Sequence, residues 1–251
     1  MHRLILLAAI LASGCSDPPA GAASSATASG PAQGTRSDSA TGVAQADASG
    51  NGAAAAATGN VRPALNGRKG EIVNPDDNTV VFLYYDLAGL TPPLDRWVED
   101  DNRVTFAQPI DKAGLRTAIR AELESAAAAV HDIGFIRLSM NARLSDYDPS
   151  YGEFTVGALA PSSVVSFDAF KQKVSLRFGN GRTAQIWRVP PDQAQAVRDK
   201  VGYFSNVSLD ALLRITSVQP GPSGGTLTTE VVEYELRENQ RGIAVGRVRV
   251  E

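Results

Sequence analysis

Few side chains in this chain could do chemistry. It holds one cysteine, Cys15, and two histidines, His2 and His131. A lone thiol has no partner for a disulfide, but it can take an acyl group. One histidine beyond the N-terminal residues, with no second cysteine, excludes the usual zinc sites. A Ser-His-Asp triad would have to use His131, and no Gly-x-Ser-x-Gly segment is expected to present its serine. His131 falls at the end of a predicted helix, where an imidazole interacts favourably with free carbonyls and the helix dipole. Acidic residues cluster three times: Asp76-Asp77-Asn78, Glu99-Asp100-Asp101-Asn102, and Asp146 with Asp148 and Glu153. Paired carboxylates can hydrolyse a glycan or hold Ca²⁺. The EF-hand spacing is absent, however, and Asp and Asn are also ordinary turn formers. Gly221 to Gly225 reads as a turn, since it lacks the Lys-Ser/Thr of a phosphate loop. No motif calls for a cofactor. Tyr84, Tyr85, Trp97, Tyr147, Tyr151, Trp187 and Tyr203 lie near predicted strand ends or turns. They would make a partner or glycan surface if they converged, and edge-of-core packing if they did not.

Cys15 is the sharpest of these features because of what precedes it. Arg3 leads into an apolar run, Leu4 to Leu11, followed by Ala12, Ser13 and Gly14. Eight apolar residues suit the core of a secretory signal, whereas a span needs ~20. Small residues before a cysteine resemble the lipobox of bacterial lipoproteins. The resemblance implies removal of residues 1–14, acyl chains on Cys15 and a membrane partner reached through them. Ala12 departs from the leucine usual at its position. Ser16, rather than aspartate, follows the cysteine, which implies the outer membrane, with the protein most readily facing the periplasm. Two or three acyl chains at ~0.8 kcal/mol per buried methylene make such an anchor close to permanent.

Residues 15–70 are Ala, Gly, Ser and Thr with scattered Asp, Gln and Pro. Such a segment cannot bury enough apolar surface to offset the entropy of ordering it, so the composition predicts a lipidated, disordered linker. At this length it would span ~40 Å on average. Residues 71–251 are expected to form a single globular domain. The first 69 residues hold five of the 24 basic and three of the 27 acidic residues, leaving a charge of −5 from Gly70 onward. A mildly acidic domain is a poor partner for nucleic acid.

The periodicity predicts the elements that must position any site. Val80 to Tyr85 is apolar throughout and reads as a two-sided strand. Leu94 to Val98 suggests a short helix. Lys112 to His131, behind a cap at Asp111, places Leu115, Ile119, Leu123, Ala126 and Val130 on one helix face. Ile136 to Leu144 alternates as a strand, with Glu153 to Leu159 returning. Phe170 to Phe178 alternates too, and Gly179-Asn180-Gly181 predicts a tight hairpin into Thr183 to Val189. Asp192 to Val201 is a short helix stopped by Gly202. Leu209–Val218, Thr226–Leu236 and Ile243–Val250 form an antiparallel meander. The fold class expected is α+β: a mostly antiparallel sheet or sandwich with one long and one short helix, after the tether.

Leu83-Tyr84-Tyr85-Asp86 and Leu212-Leu213-Arg214-Ile215 resemble segments of domains of unassigned function in bacterial envelope lipoproteins, a resemblance that implies no activity. The functional expectation is a membrane-anchored cell-envelope lipoprotein whose domain is a non-enzymatic interaction or accessory module. Its partner would be an envelope protein or the cell wall. The alternative is a carboxylate-based hydrolase of cell-wall glycan or peptide, which requires an acidic pair to converge in a deep pocket. Trypsin is expected to cut the mature protein at Arg36, Arg62, Arg68 or Lys69 and leave a resistant core from about Glu71. A protected fragment retaining Arg36, seen by mass spectrometry, would contradict the tether.

Overall fold

The computed structural model describes residues 65, 67–202 and 206–250. Cys15, the signal, most of the tether and Tyr203 lie outside the described residues. Leu65 already packs against the core, and Arg68 pairs with Asp86.

A seven-stranded sheet carries the architecture. Strand β1 (Gly70–Val73) lies beside β2 (Ile133–Arg143), then β7 (Asn206–Gly221) and β8 (Gly224–Glu238). The far edge of β8 is divided. Its first residues, Gly224 to Thr229, pair with β5 (Gln172–Phe178), which pairs in turn with β4 (Val164–Ala169). Its later residues, Glu233 to Arg237, pair with β9 (Ala244–Arg249). β1–β2 and β5–β8 are parallel and the other ladders antiparallel. A two-stranded ribbon of β3 (Glu153–Thr155) and β6 (Ile186–Arg188) lies apart. Among the described residues there are six helices: α1 (Asp77–Leu87), α2 (Leu94–Asp100), α3 (Asn102–Thr105), α4 (Lys112–Ala129), α5 (Gly181–Ala184) and α6 (Pro191–Val201).

The long helix, the α6 helix with its Gly202 stop, strand β2 and the β7–β8–β9 meander follow their sequence periodicity. Three expectations do not survive. Six helices stand where one long and one short helix were expected. Val80 to Tyr85 is helix α1 rather than a strand. Its residues Val80, Val81, Phe82, Leu83 and Tyr84 are at most 2% exposed, because the helix is buried on all sides. Full burial erases the polar stripe that separates helix from strand. The local sign of a helix is Asp76, whose Oδ1 accepts the Thr79 N–H at 2.8 Å as an N-cap. Asp111 stands at the N-cap position of α4, but its side chain does not cap.

The third correction concerns Gly179-Asn180-Gly181, which is no hairpin. The chain turns instead one strand earlier, at Phe170-Lys171. Both residues have positive φ, 52° and 60°, which a two-residue β4–β5 turn of the primed type requires. Neither is a turn former. The ring of Phe170 stacks on Trp97 of α2 at 4.2 Å, and Lys171 Nζ reaches Asp100 Oδ2 at 3.0 Å. Tertiary contact thus holds a conformation that the sequence does not advertise. At Asn180 the side-chain amide replaces a missing strand. Nδ2 donates to the Val231 carbonyl and Oδ1 accepts the Val231 N–H, both at 2.9 Å. The Asn180 amide therefore extends the β5 edge by one step while the backbone turns into α5. β6 then pairs with β3, not β5. The Glu153 return strand is correspondingly short, ending in a single 3₁₀ turn at Gly157–Leu159.

The main core lies between the sheet and the helices, and Val98, Val104 and Ile119 form a second, smaller one among α2, α3 and α4. The opposite sheet face is charged: Arg137 bonds Glu71 and Asp210, Arg214 pairs with Glu230, and Arg247 with Glu233. Helix α1 is latched to the sheet by Tyr84, whose hydroxyl donates to the Gly224 carbonyl at 2.7 Å. Gly224 must be glycine. Its φ is 123°, and a Cβ there would lie 1.9 Å from the Lys173 carbonyl oxygen.

The two buried tyrosines set up a paired test. Tyr84→Phe leaves a carbonyl without its donor and is expected to cost about 1–2 kcal/mol in urea denaturation. The Tyr234 hydroxyl is buried with no partner among the described residues, so Tyr234→Phe is expected to be neutral or stabilising. A loss at Tyr234 equal to that at Tyr84 would contradict the assignment.

Candidate functional site

The acidic residues read from the sequence are dispersed over separate structural tasks. Asp76 caps α1, and the Thr79 bonds hold its carboxyl below the usual range. Asp101 caps α3, accepting the Arg103 N–H at 2.8 Å, and the Arg103 side chain keeps it ionised to lower pH. Glu99 is depressed likewise by its bond from Arg116. Asp100 takes Lys171. Asp148 Oδ1 accepts the Ser150 N–H at 2.8 Å within a turn, and Asp148 bridges Glu153 through the backbone. Asp146 lines a recess with Arg143, Leu144, Ser145, Thr155 and Gly157, while Glu153 lines a different one. The Asp146, Asp148 and Glu153 carboxylates therefore do not meet in one pocket. No three His, Cys, Asp or Glu side chains group as metal ligands among the described residues.

His131 follows α4 and is 82% exposed, with its Nδ1 2.9 Å from Asp86 Oδ1. Asp86 also takes Arg68. Helix α4 ends at Ala129, two residues before His131, so the ring is tied to α1 rather than to the α4 carbonyls. Gly221-Pro222-Ser223-Gly224-Gly225 carries the spelling Gly-x-Ser-x-Gly. It forms the turn between β7 and β8 and leads into a strand. A nucleophile elbow needs a strand-to-helix turn, so Ser223 is not presented as one.

The aromatic residues divide between two clusters. Tyr84, Tyr85, Trp97, Phe82 and Phe170 pack edge-on or stacked beneath α2, and Tyr147, Phe154 and Trp187 pack at the β3–β6 ribbon. The Tyr147 hydroxyl donates to the Val189 carbonyl at 2.9 Å. These rings are core and core margin, not one surface. Tyr151, 76% exposed, stands outside both.

What the structure brings together is basic. A recess of about 590 Å³ opens between the β3–β6 ribbon and β9, lined by Arg182, Arg188, Arg247 and Arg249 with Glu153 and Trp187. A second recess, of about 350 Å³, shares Trp187, Arg188 and Arg247 and adds Lys200 of α6. The two run together as a groove along β9. Arg247 Nη2 lies 2.6 Å from Glu233 Oε1, and Arg249 is 3.9 Å from the same carboxylate. Arg182 and Arg188 are exposed and make no ion pair among the described residues.

Local sequence explains how β9 is held there. The Glu238 carboxylate accepts the Gln240 and Arg241 N–H groups at 2.9 and 2.6 Å, which organises the turn into β9 and lowers its pKa. Gly246 lets the Trp187 ring lie against the strand, since a Cβ would meet that ring at 2.4 Å. The four arginines come from α5, β6 and β9, so no spacing in the sequence could have announced them.

No family model, curated protein or solved structure matches the chain.

Because His131 is exposed and only pairs with Asp86, His131→Gln is expected to shift stability by less than ~1 kcal/mol and leave binding unchanged. A well-folded His131→Gln chain that behaved like a gene deletion would give the ring a functional role.

Proposed function

We propose that the chain is a membrane-anchored cell-envelope lipoprotein whose globular domain acts as a non-enzymatic interaction module. The observation that carries the interaction reading is the arginine-lined groove along β9. Its charges are exposed, come from three elements and exceed what Glu153 and Glu233 balance. Unpaired arginines at a wet recess recognise anions well, because the guanidinium fork matches a carboxylate. The same groove offers no paired acid and base for hydrolysis, and the acidic residues weighed for that chemistry cap helices, form turns or pair with cations elsewhere.

The anchor rests on the lipobox resemblance ending at Cys15, and the outer-membrane address on Ser16. The Ala-, Gly- and Ser-rich composition of residues 15–70 supports a tether that lets the domain work away from the membrane surface. Among the described residues no helix is long and apolar enough to cross a membrane.

Two measurements test the proposal. Cys15→Ser is expected to abolish labelling by a fatty-acid analogue, since a hydroxyl cannot form the thioether, and persistent labelling would refute the anchor. Cross-linking in intact envelopes is expected to capture a discrete partner that is lost when Arg182 and Arg188 are both changed to Ala. Capture that is indifferent to both changes would remove the groove from the function.

A further inference from the structure

Among the described residues, strand β9 pairs with β8 alone and has an open far edge. The Val250 N–H donates to the Val232 carbonyl at 2.9 Å, and antiparallel residues alternate between facing the partner strand and facing away. Val248 and Gly246 therefore face β8, with Tyr234 and Leu236 opposite them. Arg247 and Arg249 point their backbone N–H and C=O groups outward, and no described residue bonds those groups. The free main-chain donors and acceptors thus belong to the very residues whose side chains, 67% and 83% exposed, line the basic groove.

We propose that this edge binds an extended acidic peptide segment of a partner protein, which adds as a strand beside β9, sets alternate carboxylates against Arg247 and Arg249, and turns the aliphatic residues between them toward Trp187. The inference rests on the interaction-module reading and specifies its ligand. Strand addition draws affinity from main-chain hydrogen bonds and selectivity from alternate side chains. Residues two apart on a strand lie ~6.6 Å apart, so Asp or Glu at alternate positions would match Arg247 and Arg249. A second copy of this chain is the wrong occupant. Pairing β9 with itself would set arginine against arginine, and like charges directly opposite are destabilising. Trp187, held against Gly246, forms the apolar floor on which an aliphatic residue of the added strand would rest.

The probe is a fluorescein-labelled peptide of alternating Glu and Val, about eight residues long to cover the six residues of β9. Its anisotropy is titrated with the full chain. Binding is expected, weakened about tenfold in the chain carrying both Arg247→Ala and Arg249→Ala, with a thermal unfolding midpoint little changed because both side chains are exposed. An equally charged Glu-Val peptide N-methylated at every amide cannot donate to β9 and is expected to bind at least about tenfold more weakly. The corresponding Lys-Val peptide is expected not to bind. Three results overturn the inference: no binding of the Glu-Val peptide, equal binding of the N-methylated peptide, or displacement of the Glu-Val peptide by inorganic phosphate at millimolar concentration. If any of these occurred while the groove-dependent cross-link in envelopes persisted, strand addition would fail and the module reading would stand.

Discussion

The backbone of β8 has more edge than any one neighbour covers. It is a strand of fifteen residues, and every N–H and C=O it buries must find a partner. β7 satisfies one side along almost its whole length. The other side is divided between β5 and β9, and at the gap the Asn180 amide closes the ladder at Val231. Nearly everything else follows from that division. Because β5 enters parallel, its connection must cross the sheet, and Gly224 is the point where no side chain fits between the two strands. β9 takes only the later residues, and no other described strand pairs with its far edge.

The core answers the same constraint from the other layer. The Val80–Tyr84 stretch of helix α1 is buried throughout because the sheet, α2 and α4 all press on it, and its hydroxyl latch at Gly224 fixes its depth. Helix α2 in turn holds the β4–β5 turn through Trp97 on Phe170. Two residues in a left-handed conformation cost free energy, and a stacked pair of rings offsets it. The turn and the helix therefore support each other, although neither would be chosen locally. The charged sheet face bears a different load. Its arginine–carboxylate pairs are partly exposed and contribute little each, but they keep that face wet and leave the helices to cover only one side.

The groove is where the structural surplus lies. Edge strands commonly carry charge to discourage pairing. Here, however, two arginines on the strand are joined by two more from α5 and β6 that need not be there for that purpose, and Glu238 and Gly246 hold β9 beside Trp187. Charge on a domain of net −5 has been gathered where the backbone is unsatisfied. Those two properties together are what the proposed docking edge rests on.

Elements with one wet face were legible from sequence alone. The four- and three-residue steps from Leu115 to Val130, the alternation of Ile136 to Leu144, the Gly202 stop and the meander from Leu209 onward each repeat a local period that burial on one side imposes. The anchor proposed at Cys15 also rests on local sequence alone. Tertiary structure decided the rest. It made Val80 to Tyr85 a helix, because a segment buried on all sides shows no period. It placed a turn at Phe170-Lys171 and denied one to Asn180-Gly181, because Trp97 and Val231 supplied contacts stronger than local propensity. It also brought Arg182, Arg188, Arg247 and Arg249 to one groove, since residues from three separate elements become neighbours only when β8 divides its edge between β5 and β9.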